Sequence, residues 1–143
     1  MSRRNPDRGG NGRRGSELSE LQLAVMRVLW TRGQATVAEV HEALLEARGL
    51  APTTIATTLK RLEARGIVGH EAEGRVYLYR PLVGESDVKR SMVDALTERL
   101  FAGDPAELVN HLLTERDIDA SELERLKRLI EARQRGDEEG EDR

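Results

Sequence analysis

The sequence predicts a mainly α-helical protein that carries one small β-hairpin. Apolar residues recur at helical spacing along most of the 143-residue chain, and several of these stretches begin with helix-capping signals. Only 3% of the residues are aromatic and 34% are charged, a composition that suits helices packed through aliphatic seams. Two short stretches beside a Glu-Gly pair alternate between apolar and polar residues, as the strands of a hairpin do.

Three short helices are predicted to follow the N-terminal end. Capping boxes precede the first two helices, at Ser19 and at Thr36. Pro52 takes the favoured first position of the third helix, which is predicted for residues 52–65. About three residues that include a glycine join the second and third helices. This is the helix-turn-helix arrangement, whose second helix enters the major groove of DNA.

A hairpin is predicted after Gly66. Residues 67–72 and 75–80 read as strands around Glu73-Gly74, and Pro81 ends the sheet. Three helices followed by a hairpin is the element order of a winged helix, in which the hairpin projects as a wing beside the recognition helix. Residues 18–83 are therefore predicted to form a winged helix-turn-helix DNA-binding domain.

The outward face of the third helix has the composition of a DNA-binding surface. Ile55, Leu59 and Leu62 are expected to face the core, which leaves threonine and basic residues outside. Threonine offers a hydroxyl and a methyl group to base edges, and Lys and Arg contact phosphate or guanine. A merely solvated face is the alternative, although β-branched threonine suits such a face poorly. The predicted DNA-binding residues are Thr53, Thr54, Thr57, Thr58, Lys60, Arg61, Arg65 and, at the hairpin tip, Arg75.

Charge and capping signals set the second half of the chain apart. Residues 1–83 carry 13 Lys and Arg against 9 Asp and Glu, whereas residues 84–143 carry 10 against 17. The Arg-rich residues 1–17 and the acidic residues 136–143 have few apolar side chains, so both ends are predicted to be disordered. Between them, residues 84–135 are predicted to form three amphipathic helices, with start signals at Ser86, Asp104 and Asp119.

These three helices need an apolar partner, because about fifty residues are too few to enclose three apolar stripes. A second copy of the chain is favoured over packing against the winged helix of the same chain. We therefore expect a homodimer. The residues expected at its interface are Met92, Leu96, Leu100, Phe101, Leu108, Leu112, Leu123, Leu126, Leu129 and Ile130.

As a set, these motifs resemble the BlaI/MecI penicillinase-repressor family of bacterial winged-helix regulators. The match covers roughly residues 18–134 and is carried by LSE with VMRVLW, by PTTI with LKRL, and by EGRVYLYRPLV. The resemblance implies a repressor that binds operator DNA as a homodimer. It places recognition-helix contacts at Thr53, Thr54, Thr57 and Arg61, and the wing at residues 73–77. The family pattern is broken at Ala51, Thr53 and Ala56, where serine or a basic residue is common, so operator sequence or affinity is expected to differ.

The resemblance also bears on how repression ends. Resistance repressors of this family are cut by a sensor protease at an Asn-Phe bond within the dimerisation helices, and the matching positions here are Asn110 and His111. An imidazole would fill a pocket shaped for phenylalanine poorly. We therefore expect that such a protease does not cut this bond.

Composition and motifs argue against other classes of protein. Cysteine is absent, which excludes disulfide frameworks, thiolate metal sites and the copper-sensing cysteine pairs found in one branch of the family. His41, His70 and His111 lie far apart, and no phosphate-binding loop or nucleophile motif occurs, so no enzyme, metal or cofactor is expected. No apolar run approaches the roughly 18 residues of a membrane span, and no signal peptide is recognisable, which predicts a cytoplasmic protein. The alternative function left open is an adaptor whose winged helix binds protein instead of DNA.

Overall fold

The predicted mainly α fold with one small hairpin is confirmed in a computed structural model, which describes residues 18–141. The predicted N-terminal tail, residues 1–17, lies outside the described residues. In chain order the elements are α1 (Glu20–Arg32), α2 (Val37–Arg48), α3 (Pro52–Ala64), β1 (Val68–Glu73), β2 (Val76–Pro81), α4 (Glu85–Phe101), α5 (Pro105–Glu115) and α6 (Ala120–Glu141).

The predicted capping boxes are present as hydrogen bonds. The backbone N–H of Gln22 donates to Ser19 Oγ at 3.1 Å, and Gln22 Oε1 accepts from the backbone N–H of Ser19 at 3.0 Å. Thr36 and Glu39 make the same reciprocal pair at 3.2 and 2.9 Å. The backbone N–H of Thr36 lowers the pKa of the Glu39 carboxyl, since it hydrogen-bonds to the charged form. These local bonds explain why α1 and α2 begin where the sequence predicts.

The core of the winged helix is aliphatic and draws on every element from α1 to α4. Its largest fully buried side chains are Met26, Leu29, Ile55, Leu59, Leu62, Ile67, Val25, Val40, Val68 and Val88. A one-residue bridge joins Ala35 to the two-stranded hairpin. The N–H of Ala35 donates to the carbonyl of Tyr79 at 2.9 Å, and Tyr79 returns the bond at 2.8 Å. A single bridging residue carries no strand periodicity, so the sequence does not predict this bridge.

The hairpin turn lies one residue later than predicted. Val68 pairs with Pro81 and Glu73 with Val76, which leaves Gly74 and Arg75 as the two turn residues. The φ angle of Gly74 is +63°. The favoured two-residue hairpin turns have a positive φ angle at their first position, and glycine adopts that angle without strain. Gly74, rather than Glu73, therefore determines where the turn forms.

The structure corrects the prediction for α4. The helix begins at Glu85, so Gly84 precedes it in place of the predicted cap Ser86. Val88 is only 1% exposed within the winged-helix core, and Met92 packs against the same core one helical turn later. Contacts divide the chain into a first unit that ends at Leu100 and a second that begins at Phe101, whereas the sequence placed the boundary after residue 83. Met92, predicted for the dimer interface, is therefore partly covered by the core of its own domain.

The second unit consists of α5 and α6, and no described side chain in it is buried. The predicted caps are present. Asp104 accepts from the N–H of Ala106 at 3.0 Å, and Asp119 accepts from the N–H of Glu122 at 2.8 Å. No helix within residues 18–141 has the length and hydropathy needed to cross a bilayer.

The acidic end of the chain differs from its prediction as a disordered tail. Residues 136–141 continue α6, which the sequence ended near Gln134. Arg133 and Asp137 form an i,i+4 ion pair at 3.7 Å, and Glu138 and Glu139 are good helix formers. The last two residues lie outside the described part.

Candidate nucleic-acid interface

Helix α3 has one buried stripe, which turns its opposite face outward. The stripe is Ile55, Thr58, Leu59 and Leu62, at the spacing of successive turns of one helical face. We call the opposite side the outer face of α3, formed by Thr53, Thr57, Lys60 and Arg61, all exposed. Thr54 lies half-buried at its edge. Within residues 18–141 no ion pair engages Lys60 or Arg61, so their charges face solvent.

Thr58 does not lie on the outer face, contrary to the sequence prediction. Its side chain is 7% exposed, and its hydroxyl donates to the carbonyl of Thr54 at 2.8 Å. Thr58 stands three residues after Ile55 and four before Leu62, so it belongs to the buried stripe. The internal hydrogen bond satisfies the hydroxyl there.

Thr57 is exposed and has its hydroxyl oriented by the helix backbone. The hydroxyl donates to the carbonyl of Thr53 at 2.9 Å. Because its single proton is occupied, the oxygen presents lone pairs outward and can accept from an amino group on a base edge. The methyl group of the same side chain can contact a thymine methyl.

Arg65 is connected to α1. Its Nη1 donates to Gln22 Oε1 at 3.3 Å, and the residue is half-buried. Gln22 also belongs to the capping box of α1, so this bond fastens α3 to the start of α1. The bond thus gives Arg65 a role in the fold besides its predicted contact with DNA.

A shallow groove separates α1 from the outer face of α3. Leu21 of α1 forms one wall, and the lining residues on α3 are Thr53, Thr54, Thr57, Thr58 and Arg61. Leu21 is thus a part of the site that sequence reasoning missed. Its apolar role in α1 hides its position beside α3.

The start of α3 is open to an anion. Ala51 occupies the N-cap position and makes no side-chain cap, as its sequence predicts, and Pro52 has no N–H. The positive end of the helix dipole is therefore left without a carboxylate or hydroxyl partner from the cap. Such an end favours a phosphate group.

The wing carries a basic tip and a polar cluster at its base. Arg75 lies in the turn, exposed and without an ion pair in the described part of the chain. At the base, His70 Nδ1 lies 2.5 Å from the carboxylate of Glu63 on α3. The ring centroid of His70 is 4.4 Å from that of Tyr77 and 5.4 Å from that of Tyr79. Burial raises the pKa of the Tyr79 hydroxyl, and the negative charge of Glu63 adds to the increase.

The remaining two histidines lie in separate surroundings. His41 Nε2 donates to the carbonyl of Leu50 at 2.8 Å and so closes the turn between α2 and α3. His111 is exposed on α5, with its ring centroid 5.5 Å from that of Phe101. Across residues 18–141, no three His, Asp or Glu side chains cluster to hold a metal ion.

Apolar side chains remain exposed on α4, α5 and α6. In the first unit, the end of α4 exposes Val93, Leu96 and Leu100, the last at 70%. In the second unit, the exposed apolar residues are Val109, Leu112, Leu113, Leu123, Leu126, Leu129 and Ile130. Five of these line a groove between α5 and α6: Val109, Leu113, Leu126, Leu129 and Ile130. Phe101 and Leu108, which the sequence assigns to the interface, are half-buried.

The predicted protease position lies on α5. Asn110 and His111 are both exposed, and the peptide bond between them is helical. Sequence reasoning did not assign three exposed apolar residues to the interface: Val93 on α4, and Val109 and Leu113 on α5. Val93 and Val109 each lie three residues before a predicted interface residue of the same helix, and Leu113 lies four residues after Val109. This helical spacing is the signal that could have identified them.

Comparison with known proteins gives consistent matches. The family profile described as Penicillinase repressor matches residues 18–132. The chain is 36% identical over 117 residues to the transcriptional regulator BlaI of Mycobacterium tuberculosis, covering 80% of this chain and 83% of that protein. It is 30% identical over 115 residues to the penicillinase repressor of Bacillus licheniformis, covering 80% and 90%. Among solved structures, an hsRosR-S4 complex aligns over 88% of this chain and 97% of that chain, with a TM-score of 0.50 and 17% identity, a likeness of fold.

Proposed function

The chain belongs to the penicillinase repressor family, and we propose that it represses transcription by binding a palindromic DNA operator as a homodimer. The observation that carries this proposal is the outer face of α3. Four exposed threonine and basic side chains lie together there, no carboxylate interrupts them, and none of the basic groups is neutralised by an ion pair in the described residues. Such a face suits the major groove, where hydroxyls meet base edges and cations meet phosphates or guanine.

Each residue of the site takes a definite role in this proposal. Thr53 and Thr57 contact base edges, while Lys60 and Arg61 contact phosphate or guanine. Arg75 contacts a phosphate from the wing. Thr58 and Arg65 act within the fold, since the first is buried and the second is hydrogen-bonded to α1.

The homodimer follows from the exposed apolar residues of α4, α5 and α6. Monomers rarely leave so many large apolar side chains in contact with water on consecutive helices. A two-fold axis lets the same surface cover itself, and a palindromic operator presents its half-sites with the same symmetry. We assign dimerisation to the helical part predicted over residues 84–135, except that the first turns of α4 serve the winged-helix core.

A pair of isosteric substitutions tests the assignment of the outer face. Thr57→Val removes an exposed hydroxyl from the proposed interface, and we expect operator affinity to fall about thirtyfold, because a dimer loses one base contact of about 1 kcal/mol at each half-site. Thr58→Val removes a hydroxyl of the same size from the buried stripe. It is expected to leave affinity within about threefold and to change stability by about 1 kcal/mol.

The measurement is fluorescence anisotropy on a labelled operator duplex selected from a random library by the wild-type protein, with thermal unfolding of each variant. The reverse ranking, with Thr58→Val weakening binding and Thr57→Val leaving it unchanged, would contradict the orientation of α3 and with it the proposed interface.

A further inference from the structure

We propose that His70 is a positioning residue for operator binding, because it fastens the wing to α3 through Glu63 and so determines where Arg75 meets the DNA. This inference rests on the proposed function of α3 and the wing. It concerns residues of the wing base that the DNA-binding assignment leaves without a role.

The hydrogen bond between His70 and Glu63, which we call the tether, joins α3 to the wing. Without it, these two elements would contact the DNA separately. Glu63 is the single carboxylate of α3, and it lies on the flank that faces the wing, whereas Arg65 lies on the flank that faces α1. Since a carboxylate only accepts, His70 Nδ1 donates to Glu63 Oε2 at 2.5 Å. Both side chains are 32% exposed, so the bond is partly shielded from water.

Tyrosines of β2 hold the imidazole in place. His70 pairs with Tyr79 across the hairpin, and Tyr77 is the next residue on the same face of the hairpin. The His70 and Tyr77 rings are tilted by 36° at a centroid distance of 4.4 Å. Tyr79 is buried in the core below them. The histidine therefore connects both strands of the wing to the recognition helix.

The tether lies at the base of the wing, so a small rotation there displaces the wing tip. Val68 and Tyr79 are buried, but every residue from His70 to Tyr77 is exposed, so the hairpin beyond the tether has little contact with the domain. The turn begins four residues after His70, about 13 Å along a strand. A rotation of about 10° at the base would move the turn by about 2 Å, enough to break a hydrogen bond between Arg75 and a phosphate.

The same bond fixes the position of the Glu63 carboxylate, which is the one negative charge of α3. A carboxylate free to turn towards the outer face would repel phosphates there. The hydrogen bond from His70 holds Glu63 on the flank, away from Lys60 and Arg61. The tether thus serves both the direction of the wing and the charge of the recognition helix.

The test is a double-mutant cycle with His70 and Arg75 in the full-length protein, read by anisotropy on the selected operator duplex. We expect His70→Ala to weaken binding about three- to tenfold, and to weaken it by less than about 1.5-fold when Arg75→Ala is already present. His70→Asn is expected to restore binding to within about twofold, because its amide nitrogen can donate from the place of Nδ1. Thermal unfolding of each variant reports whether the fold is kept.

The salt dependence of binding separates positioning from a general structural role. Loss of the Arg75 contact should reduce the slope of log affinity against log salt by about 0.9 for each half-site, and His70→Ala should give the same reduction. Glu71→Gln is the control, because it breaks the 3.0 Å pair between Glu71 and Arg80 on the wing without involving α3. It should change neither affinity nor slope appreciably.

Two outcomes would overturn the inference and leave the proposed function standing: additive effects of His70→Ala and Arg75→Ala, or equal binding of the selected duplex by wild type and His70→Ala. A selection in which no duplex is enriched would count against the proposed function itself.

Discussion

Replacing Arg61 by alanine is expected to weaken operator binding severely while leaving the fold intact. The side chain is exposed on the outer face of α3 and has no ion pair in the described residues, so its removal costs little stability. One contact to phosphate or guanine contributes about 1 to 3 kcal/mol, and a dimer on a palindrome loses two such contacts. The affinity should therefore fall by roughly thirtyfold to ten-thousandfold. Anisotropy or gel shift on the selected duplex measures the loss, and circular dichroism melting checks the fold.

Arg27→Ala is the matched control for this experiment. Arg27 is an exposed arginine on α1, in the groove between α1 and α2, and the substitution removes the same charge from the same unit. We expect the operator affinity of the Arg27→Ala protein to stay close to wild type. The overall electrostatic attraction between protein and DNA changes little when one charge outside the outer face of α3 is lost. Equal losses for both variants, or wild-type affinity for a well-folded Arg61→Ala protein, would refute the recognition-helix assignment.

Ile130→Glu is expected to convert the dimer to a monomer and to weaken operator binding about a hundredfold or more. Ile130 is 56% exposed on α6 and lines the apolar groove between α5 and α6. If a second copy covers this surface, the substitution places an unpaired carboxylate in an apolar interface, which is costly. A monomer engages only one half-site at a time and so loses about two to four orders of magnitude in affinity.

Sedimentation of the full-length chain at micromolar concentration measures the oligomeric state, and anisotropy on the same samples measures affinity. Arg128→Glu is the control, because residue 128 lies two positions away on the opposite side of α6 and the change adds at least as much negative charge. It should remain a dimer. A wild-type chain that sediments as a monomer, or an Ile130→Glu protein that stays dimeric, would refute the proposed interface.

Local signals account for the parts of the fold that the sequence predicts well. The capping residues Ser19, Thr36, Asp104 and Asp119 each act within three residues along the chain, so their hydrogen bonds can be inferred without knowing the tertiary structure. The helix spacing of apolar residues likewise identifies the elements of the winged helix. The residue type of Thr58 predicts exposure, but its spacing from Ile55 and Leu62 places it in the buried stripe, and the structure follows the spacing.

Contacts between distant parts of the chain account for what the sequence does not reveal. The bond from Arg65 to Gln22 spans 43 residues, and the bond from the indole N–H of Trp30 to the carbonyl of Val83 spans 53. Neither leaves a periodic pattern. For the same reason the sequence predicts α4 as part of a separate domain, whereas Val88 completes the winged-helix core.

The salt dependence of operator binding tests the central claim, that α3 and the wing bind DNA through their basic residues, most directly. Lys60, Arg61 and Arg75 from each of two protomers would make about six ionic contacts, so the slope of log affinity against log salt should be about −5 on the selected duplex. The affinity for a scrambled duplex should be much lower at every salt concentration. Binding that does not change with salt, as expected for the apolar interface of a protein adaptor, would contradict the claim. Equal affinity for the selected and the scrambled duplex would contradict it as well.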